Sequence, residues 1–74
     1  MEQFQLDCRG FRCPMPMVEL FKKIKSTKAG DTIEILSDDP AFSHDVKAWC
    51  TQTGNDLVEL SKEEKTIKAV IKKT

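Results

Sequence analysis

The chain has 74 residues, with 12 basic and 12 acidic side chains and no net charge when its one histidine is neutral. A chain this short forms one domain, 1–74, with a thin core and no room for a deep substrate cavity. Balanced charge argues against non-specific nucleic-acid binding, and four Phe, one Trp and no Tyr make a poor base-stacking platform.

No signal-peptide pattern and no apolar run of membrane-spanning length is read, so a cytoplasmic setting is expected. Three cysteines, Cys8, Cys13 and Cys50, are an odd number, which argues against a disulfide framework in a reducing compartment.

Phe4, Leu6 and Cys8 alternate with Gln3, Gln5 and Asp7, which predicts a half-buried strand over about 3–8. Arg9-Gly10 breaks it, and Gly10 permits the backbone angles of a sharp strand-to-helix turn. From Pro14 the period changes. Met17, Leu20, Phe21 and Ile24 follow i, i+3, i+4, i+7, a single helical stripe. Pro14 and Pro16 both suit a first helical turn, where N–H groups have no intrahelical partner. Ala29-Gly30-Asp31 ends the segment.

Thr32–Leu36 is β-branched and apolar, a second strand. Strand, helix, strand implies a parallel pair joined by a right-handed crossover. Ser37-Asp38-Asp39-Pro40 supplies turn and capping chemistry, with Asp39-Pro40 or Ser43 starting a second helix. Phe42, Val46, Trp49, Cys50 and Thr53 share one of its faces, and Gly54 suits the position past its end. Asp56–Ser61 and Thr66–Lys72 are two further strands joined by Lys62–Lys65. Val58 and Leu60 are expected to face inward on the first, and Ile67, Ala69 and Ile71 on the second.

The order is βαβαββ, an α+β two-layer sandwich with two helices on one sheet face. The other face reads Gln3, Gln5, Asp7, Thr32, Glu34, Thr66 and Lys68, polar enough to need no cover, so a monomer or weak dimer is expected.

Cys13 is the leading chemical candidate. It stands directly before Pro14-Met15-Pro16, where the helix begins, with Arg9, Gly10 and Arg12 upstream. A thiol must ionise to act as a nucleophile, and a helix N-terminus lowers its pKa from about 8.5 toward roughly 3.5–7.5. The prolines stiffen the turn but leave fewer backbone donors for the thiolate. The competing reading makes Cys13 a capping-region residue without chemistry. Cys8 and Cys50 fit core packing, as free cysteine often does, with a resolving role for Cys50 as the alternative. Cys8, Cys13, Cys50 and His44 lack paired metal-ligand spacing, so no metal and no organic cofactor is expected. Lys22, Lys23, Lys25 and Lys28 read either as a solvated face or as a docking surface for an acidic protein.

Leu6-Asp7-Cys8-Arg9-Gly10-Phe11-Arg12-Cys13-Pro14-Met15-Pro16 closely resembles the Cys-Pro-x-Pro signature of the TusA/SirA-like sulfur-carrier family. Asp38-Asp39-Pro40, Asp45 to Cys50, Gly54 and Ile71-Lys72 are also similar to that family. Phe11 stands where many relatives have Leu, and Val46-Lys47 where many have Ile-Pro. The resemblance implies a mixed four-stranded sheet and sulfur handling. Cys13 would accept sulfane sulfur as a persulfide, acting as a sulfurtransferase or sulfur-relay protein. Gly10, Pro14 and Pro16 would position it, and Arg9 and Arg12 would give electrostatic support.

Implied partners are a sulfur donor, a cysteine desulfurase or rhodanese, and an acceptor relay protein. The setting would be tRNA thiolation, molybdenum-cofactor assembly or sulfur oxidation. The rival reading is a non-catalytic interaction or regulatory module that uses the Cys13 turn as a recognition surface.

Overall fold

The computed structural model describes residues 2–11 and 15–74. Four strands and two helices follow the order β1 (Gln3–Asp7), α1 (Met15–Lys25), β2 (Thr32–Ser37), α2 (Phe42–Thr53), β3 (Asp56–Glu63) and β4 (Thr66–Lys72). They build one mixed sheet in the order β1-β2-β4-β3. β1 and β2 are parallel, while β4 runs antiparallel to both β2 and β3.

Strand alternation sets the core. Ile33 and Ile35 of β2 stand opposite Ile71 and Ala69 of β4, and Phe4 and Leu6 of β1 stand opposite Ile33 and Ile35. These side chains join Leu20 and Ile24 of α1 and Phe42, Val46 and Cys50 of α2 in one cluster. Both helices therefore lie on the same sheet face, as the sequence implies. Gln3, Gln5 and Asp7 are exposed on the other face.

Two expectations need correction. Val58 does not face inward: it is 59% exposed, and Leu57 and Leu60 pack against the core instead. The register shifts between Leu57 and Glu59, so Val58 is the extra residue of a β-bulge and the period-two pattern breaks there. Phe21 is not on the buried stripe of α1: it is 52% exposed. The buried residues are Pro16, Leu20 and Ile24 at i, i+4, i+8. Phe21 instead lines, with Met17, Val18 and Trp49 of α2, an open groove on the flank of α1.

Polar groups fix the ends of the elements. Gly54, with φ of 78°, closes α2 by donating its N–H to the Cys50 carbonyl. No side chain caps the start of α2, where the N-cap position is Ala41. The Asp39 carboxylate, already buried there, accepts the Ala41 N–H at 3.0 Å. At the far end of α1, the Lys73 ammonium donates to the carbonyls of Ile24 and Thr27 at 2.9 and 2.7 Å. Thr66 pairs with Glu63, so the β3–β4 hairpin turns on Glu64 and Lys65 alone, with Glu64 at φ of 57°.

Candidate functional site

The turn that leads to Cys13 leaves the sheet at the C-terminal ends of β1 and β2. That edge of a parallel pair is where α/β sheets commonly place their sites. Asp7, the last residue of β1, stands opposite Leu36. The Cys8 N–H adds one more rung by donating to the Leu36 carbonyl at 2.8 Å. The chain then turns through Arg9 and Gly10, which has φ of 88°. A side chain there would be strained, which explains glycine at this point.

Three successive backbone donors of this turn are occupied. Arg9 N–H donates to Oδ1 of Asp7 at 3.1 Å, an Asp turn of the kind that spans two residues. Gly10 N–H donates to Oδ1 of Asp38 at 3.0 Å. Phe11 N–H donates to the Cys8 carbonyl at 3.1 Å. None of the three is left to bind an anionic sulfur.

Arg9 is also held through its side chain. Its Nε and Nη2 meet Oδ1 and Oδ2 of Asp7 at 2.9 and 2.7 Å. The Arg9 side-chain hydrogen bonds, with its backbone N–H, hold the Asp7 pKa down at about 2. The same hydrogen bond from Asp7 raises the pKa of Arg9. The two side chains form a local neutral pair, about half exposed.

Cys13, Arg12 and Pro14 lie outside the described residues. Of the other residues expected at the site, Arg9 and Gly10 shape the turn, and Pro16 is fully buried in the first turn of α1. Pro16 and Phe11 thus bracket the cysteine, one anchored in the core and one hydrogen-bonded into the turn. Asp7 and Asp38 were missed as site residues on sequence grounds. An Asp two residues before the turn arginine was a legible signal for the first. Nothing in the sequence links Asp38 to a glycine 28 residues earlier.

The other two thiols are core groups. Cys8 is 2% exposed and Cys50 5% exposed, and both are free. Burial raises the Cys8 pKa, with the Glu19 and Asp7 carboxylates adding to it. Burial pushes Cys50 up to about 11, with Asp56 contributing. Neither ionises near neutral pH. His44 is exposed in the first turn of α2. Among the described residues, no three His, Cys, Asp or Glu side chains converge as metal ligands.

Beyond the turn, Met15 and Phe11 are exposed. Met17, Val18, Phe21 and Trp49 line an apolar groove of about 210 Å³ between the helices. Lys25 sits over the Phe21 ring, 4.9 Å from its centre. No helix among the described residues is long and apolar enough to cross a membrane.

The model of the family described as sulfurtransferase TusA matches residues 4–73. A candidate sulfur carrier protein of Archaeoglobus fulgidus is 38% identical over 68 residues, 92% of this chain and 93% of that protein. The sulfur carrier protein TusA of Buchnera aphidicola is 38% identical over 69 residues, 93% of this chain and 87% of that protein. Longer relatives in Aquifex aeolicus and Bacillus subtilis are matched over 36% and 37% of their own length. In structure, the SirA-like protein of Desulfitobacterium hafniense superposes with a TM-score of 0.81. That match covers 93% of this chain and 95% of the other, at 21% identity, and shows the shared fold. With residues 4–73 matched and two relatives of similar length at 38% identity, this chain belongs to the TusA sulfurtransferase family.

Proposed function

We propose that the protein is a sulfur carrier that holds sulfane sulfur as a persulfide on Cys13 and passes it to a partner protein. The observation that carries this reading is the fate of the thiols. Cys8 and Cys50 are buried with raised pKa values, which argues against either as the sulfur-bearing thiol and supports the choice of Cys13. The names of the relatives, sulfur carriers of similar length, support the same reading.

The chemistry is thiol exchange. The Cys13 thiolate attacks the outer sulfur of a donor persulfide R–S–SH. A new S–S bond forms at Cys13, the donor S–S bond breaks, and R–S⁻ leaves with the electron pair. An acceptor thiolate then attacks the outer sulfur of Cys13–S–SH and regenerates the Cys13 thiolate. No net oxidant is consumed. The start of α1 favours the anionic sulfur through its dipole. Because Arg9 is paired with Asp7, Arg12 is the arginine assigned to the thiolate.

Transfer between proteins requires docking beside the thiol. The Met17, Val18, Phe21 and Trp49 groove opens next to the start of α1, and Lys22 and Lys25 are exposed on the same helix. Aromatic and methionine side chains rimmed by lysines suit an acidic surface on a donor or acceptor protein.

Loading rates from a cysteine desulfurase with cysteine, and from inorganic polysulfide, test the reading. Lys22→Glu with Lys25→Glu should slow loading from the enzyme and leave polysulfide loading unchanged. Equal slowing with both donors contradicts the docking face. No loading of the wild type from either donor contradicts the carrier.

A further inference from the structure

Among the described residues that follow Cys8 in the turn, Arg9 to Phe11, one hydrogen bond reaches a distant part of the chain. Gly10 N–H donates to Oδ1 of Asp38 across 28 residues. The other two donors of the turn find partners within three residues, at Asp7 and at the Cys8 carbonyl. A contact that crosses elements fixes where the turn sits, whereas local contacts fix only its shape.

The loop that carries Asp38 is itself held. Ser37 is fully buried, and its hydroxyl accepts the Asp39 N–H at 3.2 Å. The Asp39 carboxylate accepts the Ala41 N–H, and the Asp39 carbonyl accepts the Phe42 N–H at 3.0 Å. Phe42 is 1% exposed in the core. The chain Phe42, Asp39, Asp38, Gly10 thus runs from the core to the turn before Cys13.

Electrostatics alone does not explain a carboxylate here. Negative charge near a thiol opposes its ionisation. Asp38 faces Arg9, and it borders a cleft with Lys62 and Lys65 of the hairpin, so its charge is partly offset. What the turn uses is an acceptor oxygen at the right reach.

We propose that Asp38 is a positioning residue for Cys13. It fixes the thiol turn through Gly10, as a hydrogen-bond acceptor and not as a charge. This rests on Cys13 being the sulfur-carrying thiol.

Asparagine and alanine at position 38 are both neutral, and only asparagine keeps the acceptor. The experiment is the pH–rate profile of Cys13 alkylation by iodoacetamide, mapped by peptide mass spectrometry, in wild type, Asp38→Asn and Asp38→Ala, with a denaturant melt of each. At pH 7 Asp38→Asn should react at least as fast as wild type. Asp38→Ala should react about fivefold slower than Asp38→Asn, the scale of one lost hydrogen bond, with a higher apparent thiol pKa. Equal profiles for the two variants overturn the proposal. If Asp38→Ala does not fold, the Asn variant decides alone: slowing by about fivefold or more means that the charge is required, which also overturns it. A wild-type Cys13 that titrates like an ordinary thiol, near about 8.5, removes the sulfur-carrier reading and this inference together.

Discussion

The Arg9 guanidinium lies along the Asp7 carboxylate, with Nε 2.9 Å from Oδ1 and Nη2 2.7 Å from Oδ2. The pair sits on the turn before Cys13, so it tests how charge reaches the thiol. Removing one member should expose the field of the other. Asp7→Asn is expected to speed Cys13 alkylation at neutral pH by about twofold, and Arg9→Ala to slow it by a similar factor. The double variant should return near the wild-type rate. Both single effects should shrink in high salt, because the pair is exposed. Alkylation kinetics of the four proteins at two ionic strengths check this.

Two carboxylates set the acid limb of stability. Asp7 is held at about 2 by Arg9, and the Asp31 pKa is lowered by the backbone N–H groups of Glu2 and Lys28, both at 2.9 Å. A depressed folded pKa contributes stability above the unfolded value, 3.8 for these groups, and that stability is lost as pH falls through the folded pKa. Denaturant midpoints should therefore be flat between about pH 5 and 8 and fall steadily between about pH 4 and 2. Asp31→Asn is expected to lower the plateau and flatten that slope.

The Lys73 ammonium closes α1 from the far end of the chain, through the Ile24 and Thr27 carbonyls. Lys73→Met keeps the aliphatic stem and removes the donors. It is expected to cost about 1–3 kcal/mol of stability, the range for acceptors left without a partner and a lost cation at a helix C-terminus. Cys13 precedes the opposite end of α1 in the sequence, so its alkylation rate should not change. Chemical denaturation and alkylation kinetics of the same variant separate the two effects.

Glu64 adopts φ of 57° in the two-residue hairpin turn. A side-chain-bearing residue there costs roughly 1–2 kcal/mol, which asparagine tolerates better. Glu64→Asn should raise stability by about 1 kcal/mol, read as a higher denaturant midpoint with an unchanged slope.

Much of this architecture was legible in the sequence. Period-two alternation placed Phe4, Leu6 and Cys8 inward, and Gly54 marked the end of α2. The misses have local causes. Val58 sits at a bulge, which alternation alone cannot reveal. Phe21 fits a helical stripe by spacing, but a helix packed beside another has a flank as well as a buried face, and Pro16 took the buried position. At the site, the turn and its glycine were legible. Asp38 was not, because its role depends on two loops that meet only when β1 and β2 pair in parallel.

The proposed carrier chemistry puts the sulfur on one thiol, Cys13. Its most direct test is mass spectrometry of the folded protein after exposure to polysulfide and alkylative trapping, with the adduct mapped to its peptide. One added sulfur on the Cys13 peptide is expected, released by a reducing thiol and absent in Cys13→Ser. Cys8 and Cys50 should stay unmodified until the protein is unfolded. A sulfur adduct on Cys8 or Cys50 in the folded protein, or one that persists in Cys13→Ser, would rule out Cys13 as the sole carrier thiol.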